Sequence, residues 1–171
     1  MSNLNVKIIV EELAELLIAS NKTLVAAESC TGGWIAKQLT DLSGSSAWFD
    51  RGFVTYSNLA KQEMLGVAEE TIDIFAAVSE ETVVAMAKGA LQNSHADFSL
   101  SVSGIAGPSG GSVDKPVGLV WFAWCKKSSA IKDDIVLSKH QIFRGDRNAV
   151  REQSVIYSLK MLIRFIKSEN T

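Results

Sequence analysis

Histidine and cysteine are both scarce in this chain, with two of each in 171 residues. Cys30 and Cys125 are too few for a disulfide framework and do not have the spacing of a zinc site, which places the protein in a reducing compartment, the cytoplasm. His95 follows a helix-period stretch among polar residues, and His140 falls in a strand-like one. Neither accompanies a glycine-rich turn, so a Ser-His-Asp triad is poorly supported. No set of His, Cys, Asp and Glu has ligand spacing, and neither a metal nor a cofactor is expected. Charge of one sign is also lacking. A net charge of −2 and a pI of 5.7 leave no electrostatic footprint for nucleic acid. No apolar run approaches the roughly 18 residues of a membrane span. The first residues show no basic region followed by an apolar block, so no secretory signal is expected. Internal repeats, low-complexity segments and linkers are absent as well. What remains is 47% hydrophobic and 21% charged, ordinary for a globular protein, and the length fits a single domain over 1–171.

Periodicity divides the chain into alternating helices and strands. Residues 4–20 form an amphipathic helix with Ile9, Leu13, Leu16 and Leu17 on one face, ended by Asn21-Lys22. Leu24-Val25-Ala26-Ala27 is a strand, and a helix with Ile35, Leu39 and Leu42 on one face follows it, closing near Ser43-Gly44-Ser45-Ser46. Residues 47–57 read as a strand interrupted at Asp50-Arg51-Gly52, a pattern that suggests a bulge. Trp48 and Phe49 beside it are either core or a subunit contact. Asn58 to Gly66 is a short helix with Asn58 as N-cap and Gly66 as its stop. A brief helix covers Glu69 to Phe75. A longer one, capped by Ser79, buries Val83, Ala87, Ala90 and Leu91. Residues 98–103 alternate strictly and make a strand; 117–124 is a nearly continuous apolar run, a strand covered on both faces. After a polar turn at 126–129, residues 131–143 form a more charged strand nearer an edge. Gly145-Asp146 caps a long final helix with Val155, Leu159, Leu162, Ile163 and Ile166 toward the core. This order predicts an α/β fold, a three-layer α/β/α sandwich around a mixed β-sheet.

Between the first strand and second helix lies Glu28-Ser29-Cys30-Thr31-Gly32-Gly33-Trp34. Ser29 or Thr31 there could simply cap the helix. The same position offers more, because a helix N-terminus presents unpaired N–H groups where an oxyanion can develop, and the glycine pair lets backbone approach a ligand. Cys30 competes with Ser29 as nucleophile, although a small apolar side chain turned to the core is the favoured reading. Lys61 falls in the first turn of its helix, where the dipole disfavours a cation and would lower its pKa toward use as a base; a solvated lysine fits too. Tyr56 either shares a proton relay with Lys61 or is an ordinary strand aromatic. Arg147, again a cation in a first turn, is a surface arginine or an anion contact. The glycine-rich stretch 103–118 is a long surface loop or a backbone cradle for a phosphate or sugar. Spacing alone does not say whether these helix starts meet.

Five motifs, in this order, resemble the CinA C-terminal domain family: Ala27-Glu28-Ser29-Cys30-Thr31-Gly32-Gly33; Gly52-Phe53-Val54-Thr55-Tyr56-Ser57-Asn58 with Lys61; Ala77-Val78-Ser79; Ser103-Gly104-Ile105-Ala106-Gly107-Pro108 with Gly110-Gly111 and Lys115-Pro116-Val117-Gly118; and Gly145-Asp146-Arg147. The resemblance covers nearly the whole chain. It implies hydrolysis of the carboxamide of nicotinamide mononucleotide to nicotinate mononucleotide and ammonia, in pyridine-nucleotide recycling. Ser29 would be the nucleophile, Lys61 the base and Tyr56 an assistant. Backbone around Cys30, Thr31, Gly32 and Gly33 would stabilise the oxyanion. The loop carrying Ser103, Gly104, Ile105, Gly107, Gly110 and Gly111 would hold the ribose phosphate with Arg147. The expected partner is that small nucleotide, with no nucleic acid and no membrane; a homodimer stays open through the resemblance alone. Longer family members add an N-terminal domain with a pyrophosphatase activity, which is not carried over to a chain of this length. The rival reading is a non-catalytic nucleotide- or protein-binding module, and a second is an enzyme for another amide or phospho-sugar.

Overall fold

A computed structural model describes residues 3–128 and 133–169. Its elements are α1 (Asn3–Ala19), β1 (Leu24–Glu28), α2 (Trp34–Thr40), β2 (Phe49–Val54), α3 (Asn58–Leu65), α4 (Glu69–Phe75), α5 (Glu80–Gln92), β3 (Phe98–Gly104), β4 (Leu119–Lys126), β5 (Ile135–Ile142) and α6 (Arg147–Glu169). The strands form one sheet in the order β2-β1-β3-β4-β5. β1 runs parallel to both β2 and β3, whereas β3–β4 and β4–β5 are antiparallel. The mixed sheet is thus as expected.

Two cores sandwich the sheet, and they follow from strand alternation. Leu24 and Ala26 of β1, with Phe98, Leu100 and Val102 of β3 and Val120, Phe122 and Trp124 of β4, pack under α1, α2 and α6. Val25 and Ala27, with Ala123 and Cys125, pack under α3, α4 and α5 on the other side. Trp48 lies fully in the first core, and Phe49, partly buried, packs against it. The interruption in β2 is a register shift, Leu24 pairing with Phe49 and Val25 with Arg51, so Asp50 is the extra residue.

Several local expectations give way. β3 alternates apolar and serine residues, a pattern that normally means one wet face. Instead Ser99, Ser101 and Ser103 are buried, and their hydroxyls donate to the carbonyls of Ala87 (2.8 Å), Val83 (2.6 Å) and Ala77 (2.7 Å). A hydroxyl that finds an acceptor can be buried at little net cost, so the serine face docks on α5. The strand expected over 47–57 stops at Val54, leaving Thr55 and Tyr56 in the connection to α3. The N-cap of α3 is Ser57, not Asn58: Ser57 is extended and its Oγ accepts from the Ala60 N–H at 3.0 Å. Gly66 closes the helix in the left-handed region, as expected. β5 begins at Ile135; of the turn and strand start expected before it, residues 129–132 lie outside the described residues. Gly89 is needed where α5 meets α3, because a Cβ there would stand 1.9 Å from the Leu65 carbonyl oxygen.

This topology decides where a site can form. The path from β1 to β2 passes through α2 on one face, and the path from β2 to β3 passes through α3 to α5 on the other. Neighbouring parallel strands whose connections leave on opposite faces open a crevice beyond their C-terminal ends. Here those ends are Glu28-Ser29 and Ser103-Gly104.

Candidate active site

A cavity of about 210 Å³ occupies that crevice. Ser29 and Cys30 line it from the end of β1, Tyr56, Asn58 and Lys61 from the start of α3, Ala77 and Val78 from the α4–α5 connection, Ser103, Gly104 and Ala106 from the end of β3, and Arg147 from α6. Three helix starts that are remote in sequence therefore meet in space.

At its floor, Lys61 Nζ is 3.1 Å from Ser29 Oγ. The lysine is only 1% exposed, one of the largest side chains to be fully buried. Nζ also donates to the carbonyls of Thr55 (3.0 Å) and Ser57 (3.5 Å). Burial pushes its pKa below the ordinary lysine value, against a smaller opposing pull from the Cys30 thiol. A neutral amine has two N–H donors and one lone pair. The two carbonyls take the donors, and the lone pair is left for the Ser29 hydroxyl. This is the arrangement that a serine nucleophile with a lysine base requires.

The turn after Ser29 is held differently from the expectation. Neither Ser29 nor Thr31 caps α2; the capping position is Gly33, with φ of 91° and no side-chain cap of its own. The acceptor is Glu28, fully buried, whose carboxylate takes the N–H groups of Gly33 (3.1 Å), Ile35 (3.0 Å) and Ala36 (2.8 Å). A carboxylate at a helix N-terminus is favoured both by hydrogen bonding and by the dipole. The Gly32 N–H donates to the Ser29 carbonyl at 3.1 Å and the Trp34 N–H to that of Thr31 at 3.3 Å. The N–H groups of Cys30 and Thr31 are then the donors of this turn with no acceptor among the described residues.

Gly32 and Gly33 both have positive φ, 60° and 91°. Like Thr31 they do not line the cavity, and their left-handed conformation shapes the turn. The Thr31 hydroxyl is buried and unpartnered. Cys30 belongs to the first core, and burial, the largest influence, drives its thiol up to about 12. A thiol in that state is a poor nucleophile.

Tyr56 is 61% exposed, and its Oη accepts from Arg147 Nη2 at 2.7 Å rather than bonding Lys61. Arg147 Nη1 donates to the Gly107 carbonyl at 2.8 Å. Of the glycine-rich loop, Ser103 and Gly104 line the cavity, but Ile105, Gly107, Gly110 and Gly111 do not. Ser103 donates its hydroxyl to Ala77. Gly104 is small because β4 is close: a Cβ would lie 2.6 Å from Val120 Cγ2. Ile105 is paired through its N–H to Leu119 and through its carbonyl to Gly118. The loop is pinned beyond the cavity by Lys115, whose Nζ donates to the carbonyls of Phe75 (2.6 Å) and Val78 (2.9 Å).

Glu28, Thr55, Asn58, Ala77, Val78 and Ala106 stand in the motifs above without an assigned role, and Arg151 was not singled out at all. Arg151 was the most accessible of these, since it follows Arg147 by four residues and shares its helix face. Its Nε donates to the Cys30 carbonyl at 3.1 Å and its Nη2 to the Thr31 carbonyl at 2.8 Å.

Comparison with known proteins adds the context for this geometry. The family model described as the CinA C-terminal domain matches residues 6–166. The chain is 54% identical over 152 residues to the nicotinamide-nucleotide amidohydrolase PncC of Escherichia coli K12, covering 89% of each chain. It is 55% identical over 158 residues to the protein of the same name from Enterobacter agglomerans, covering 92% of this chain and 93% of that one. Among solved structures, the competence/damage inducible protein CihA from Agrobacterium tumefaciens superposes with a TM-score of 0.86 at 42% identity, covering 94% of both chains.

Proposed function

The chain belongs to the CinA C-terminal domain family, and on that premise we propose that it is a nicotinamide-nucleotide amidase. It hydrolyses the carboxamide of nicotinamide mononucleotide to nicotinate mononucleotide and ammonia. Two relatives that carry this activity in their names align over most of their own length. The observation that carries the reading to mechanism is the buried 3.1 Å contact between Lys61 Nζ and Ser29 Oγ.

Neutral Lys61 takes the Ser29 hydroxyl proton as Oγ bonds to the carboxamide carbon. The carbonyl π pair moves to oxygen, and that oxyanion is met by the N–H group of Cys30, which lines the cavity. Lys61 returns its proton to the amide nitrogen, the C–N bond breaks, and ammonia leaves an ester on Ser29. Water then adds to the ester carbon with its proton going to Lys61. Collapse of this second tetrahedral species releases the carboxylate product and returns the proton to Ser29. Lys61 acts directly in this scheme, and Tyr56 serves by orienting Arg147. The guanidinium of Arg147, at the cavity wall, contacts the substrate phosphate together with the backbone of Ser103 and Gly104. The protein works in the cytoplasm on a free nucleotide; two free, buried cysteines suit that compartment.

Ammonia release from nicotinamide mononucleotide tests the reading, with wild type against Ser29→Ala. Release by the wild type alone is expected. Equal release by both would remove Ser29 as nucleophile. No release by folded wild type that still binds the nucleotide would favour a binding module instead.

A further inference from the structure

We propose that Lys115 is a positioning residue that holds Ala77 and Val78 in place as the surface on which the aromatic ring of the substrate lies. This rests on the reading of the cavity as the site of a nicotinamide-nucleotide amidase. The carboxamide carbon that meets Ser29 Oγ is bonded directly to the ring, so the ring has to lie in the same cavity. The aliphatic side chains lining that cavity are Ala77 and Val78, from the α4–α5 connection, and Ala106, from the start of the glycine-rich loop. Lys115 does not line it. It stands near the far end of that loop, and its Nζ crosses to the connection, donating to the Phe75 carbonyl at 2.6 Å and the Val78 carbonyl at 2.9 Å. One cation thus ties together the two segments that supply the aliphatic lining.

The connection needs such a tie. Ala76 has φ of 66° and ψ of 168°, a conformation essentially restricted to glycine. An alanine stays there only where its surroundings hold it. Each carbonyl from Phe75 to Val78 is taken by a side chain. Ser79 and Thr82 donate to Ala76 at 2.9 and 2.8 Å, Ser103 donates to Ala77 at 2.7 Å, and Lys115 holds the two outer ones. Ser79 and Thr82 belong to the start of α5 and move with the connection; Ser103 and Lys115 fix it to the rest of the molecule. Lys115 is the donor that spans the strained residue, gripping a carbonyl on each side of it. Its own backbone is held in a closed turn: the Ser112 N–H donates to the Lys115 carbonyl at 2.8 Å, and the Lys115 N–H donates to Ser112 Oγ at 3.0 Å. Glu80, Glu81 and Asp114 share an outer groove with Lys115, yet its Nζ is directed at the two backbone carbonyls. Bonds from an ammonium are stronger than those between neutral groups, which suits a tie across a strained bend.

The test uses the full chain as wild type, as Lys115→Met, and as Lys115→Cys before and after alkylation with bromoethylamine. In the alkylation the new sulfur displaces bromide, and the side chain regains an ammonium at nearly the length of lysine. Cys30 and Cys125 are buried, with thiols driven up to about 12, so native protein keeps them unmodified. One measurement is kcat and KM for ammonia release from nicotinamide mononucleotide. The other is the rate at which Ser29 is labelled by phenylmethanesulfonyl fluoride and by methanesulfonyl fluoride. In each labelling Oγ bonds to sulfur, fluoride leaves, and the hydroxyl proton passes to Lys61; only the first reagent carries a ring. In Lys115→Met and unmodified Lys115→Cys, KM is expected to rise about 10-fold with kcat within about three-fold, the signature of lost ground-state binding. Labelling by the aryl reagent should slow by a similar factor while labelling by the methyl reagent is unchanged, and aminoethylation should restore both KM and aryl labelling. Unchanged KM and aryl labelling in the folded variants would overturn the proposal. So would an equal fall with both reagents, no recovery on aminoethylation, or loss of cooperative melting in both unmodified variants, which would make Lys115 a stabilising contact only. If wild type releases no ammonia but is labelled, the substrate reading fails while the ratio of aryl to methyl labelling still decides the role of Lys115. A wild type that is neither active nor labelled would overturn both.

Discussion

Lys61 Nζ faces Ser29 Oγ at 3.1 Å with its remaining hydrogen-bonding directions occupied by the carbonyls of Thr55 and Ser57. Because burial lowers the lysine's pKa, the neutral base is present at lower pH than for an exposed lysine. The kcat/KM for ammonia release should rise through a single ionisation on its acid side and level off above it. Lys61→Ala should lower kcat by at least about 100-fold, the scale of general-base catalysis. Stability follows the same ionisation. Between the folded value and the ordinary lysine value, the unfolded chain binds more protons, so wild-type stability rises with pH across that window and falls as pH drops through the folded value. Melting temperatures of Lys61→Met should lack this slope; an identical slope in both would mean that Lys61 is not the group responsible.

Glu28 is the internal cap of α2. Glu28→Ala leaves the N–H groups of Gly33, Ile35 and Ala36 without their acceptor. Each buried orphan costs on the order of 1–3 kcal/mol, so a loss of about 3 kcal/mol or more in urea unfolding is expected. Glu28→Gln keeps one acceptor oxygen and should fall between the two. Both variants should also lose kcat, since the turn carries Ser29.

Cys30 should be silent. With its thiol driven up to about 12, native protein at pH 8 should react with iodoacetamide far more slowly than unfolded protein. Cys30→Ala keeps the backbone N–H and should retain kcat within about three-fold, a surface-like effect on rate despite its buried position, with about 1 kcal/mol lost from packing. Loss of turnover in this variant would transfer the nucleophile's role away from Ser29.

Tyr56 and Arg147 should behave as a pair. Tyr56 Oη bonds the guanidinium and not the lysine, so Tyr56→Phe should raise KM by a few-fold and leave kcat nearly unchanged. Arg147→Gln should raise KM by about 10-fold or more, because a charge-assisted contact to phosphate is lost. A collapse of kcat in Tyr56→Phe would instead place the tyrosine in the proton path.

The architecture was legible because helix and strand periods are local properties. The buried faces of α5 and α6 and the bulge at Asp50 were readable for that reason. What the serines of β3 face was not legible, because the carbonyls that receive them belong to α5 and the connection before it. Ser29 and Lys61 were separately visible as chemically suggestive residues at helix starts. Spacing did not show their contact, because 32 residues of chain separate them; the family resemblance alone paired them. Glu28 carried no expectation of its own, because the N–H groups its carboxylate holds, those of Gly33, Ile35 and Ala36, converge on it only once the turn is folded. In the loop from Ser103 to Gly118 the glycines were legible but their packing was not: a Cβ at Gly104 or Gly111 would crowd Val120 or Val117, contacts that sequence alone does not show.

The sheet order has a last consequence, in the response to heat. Ser29 follows β1, an interior strand with a neighbour on each side; Lys61 follows β2, which borders the sheet and is paired on one side only. Edge strands open at lower free energy than interior ones. The nucleophile thus rides on the keel of the molecule and the base on its gunwale. Warming will separate the two before the hull fails, and turnover will fade at temperatures where the far-ultraviolet spectrum still reports an intact fold.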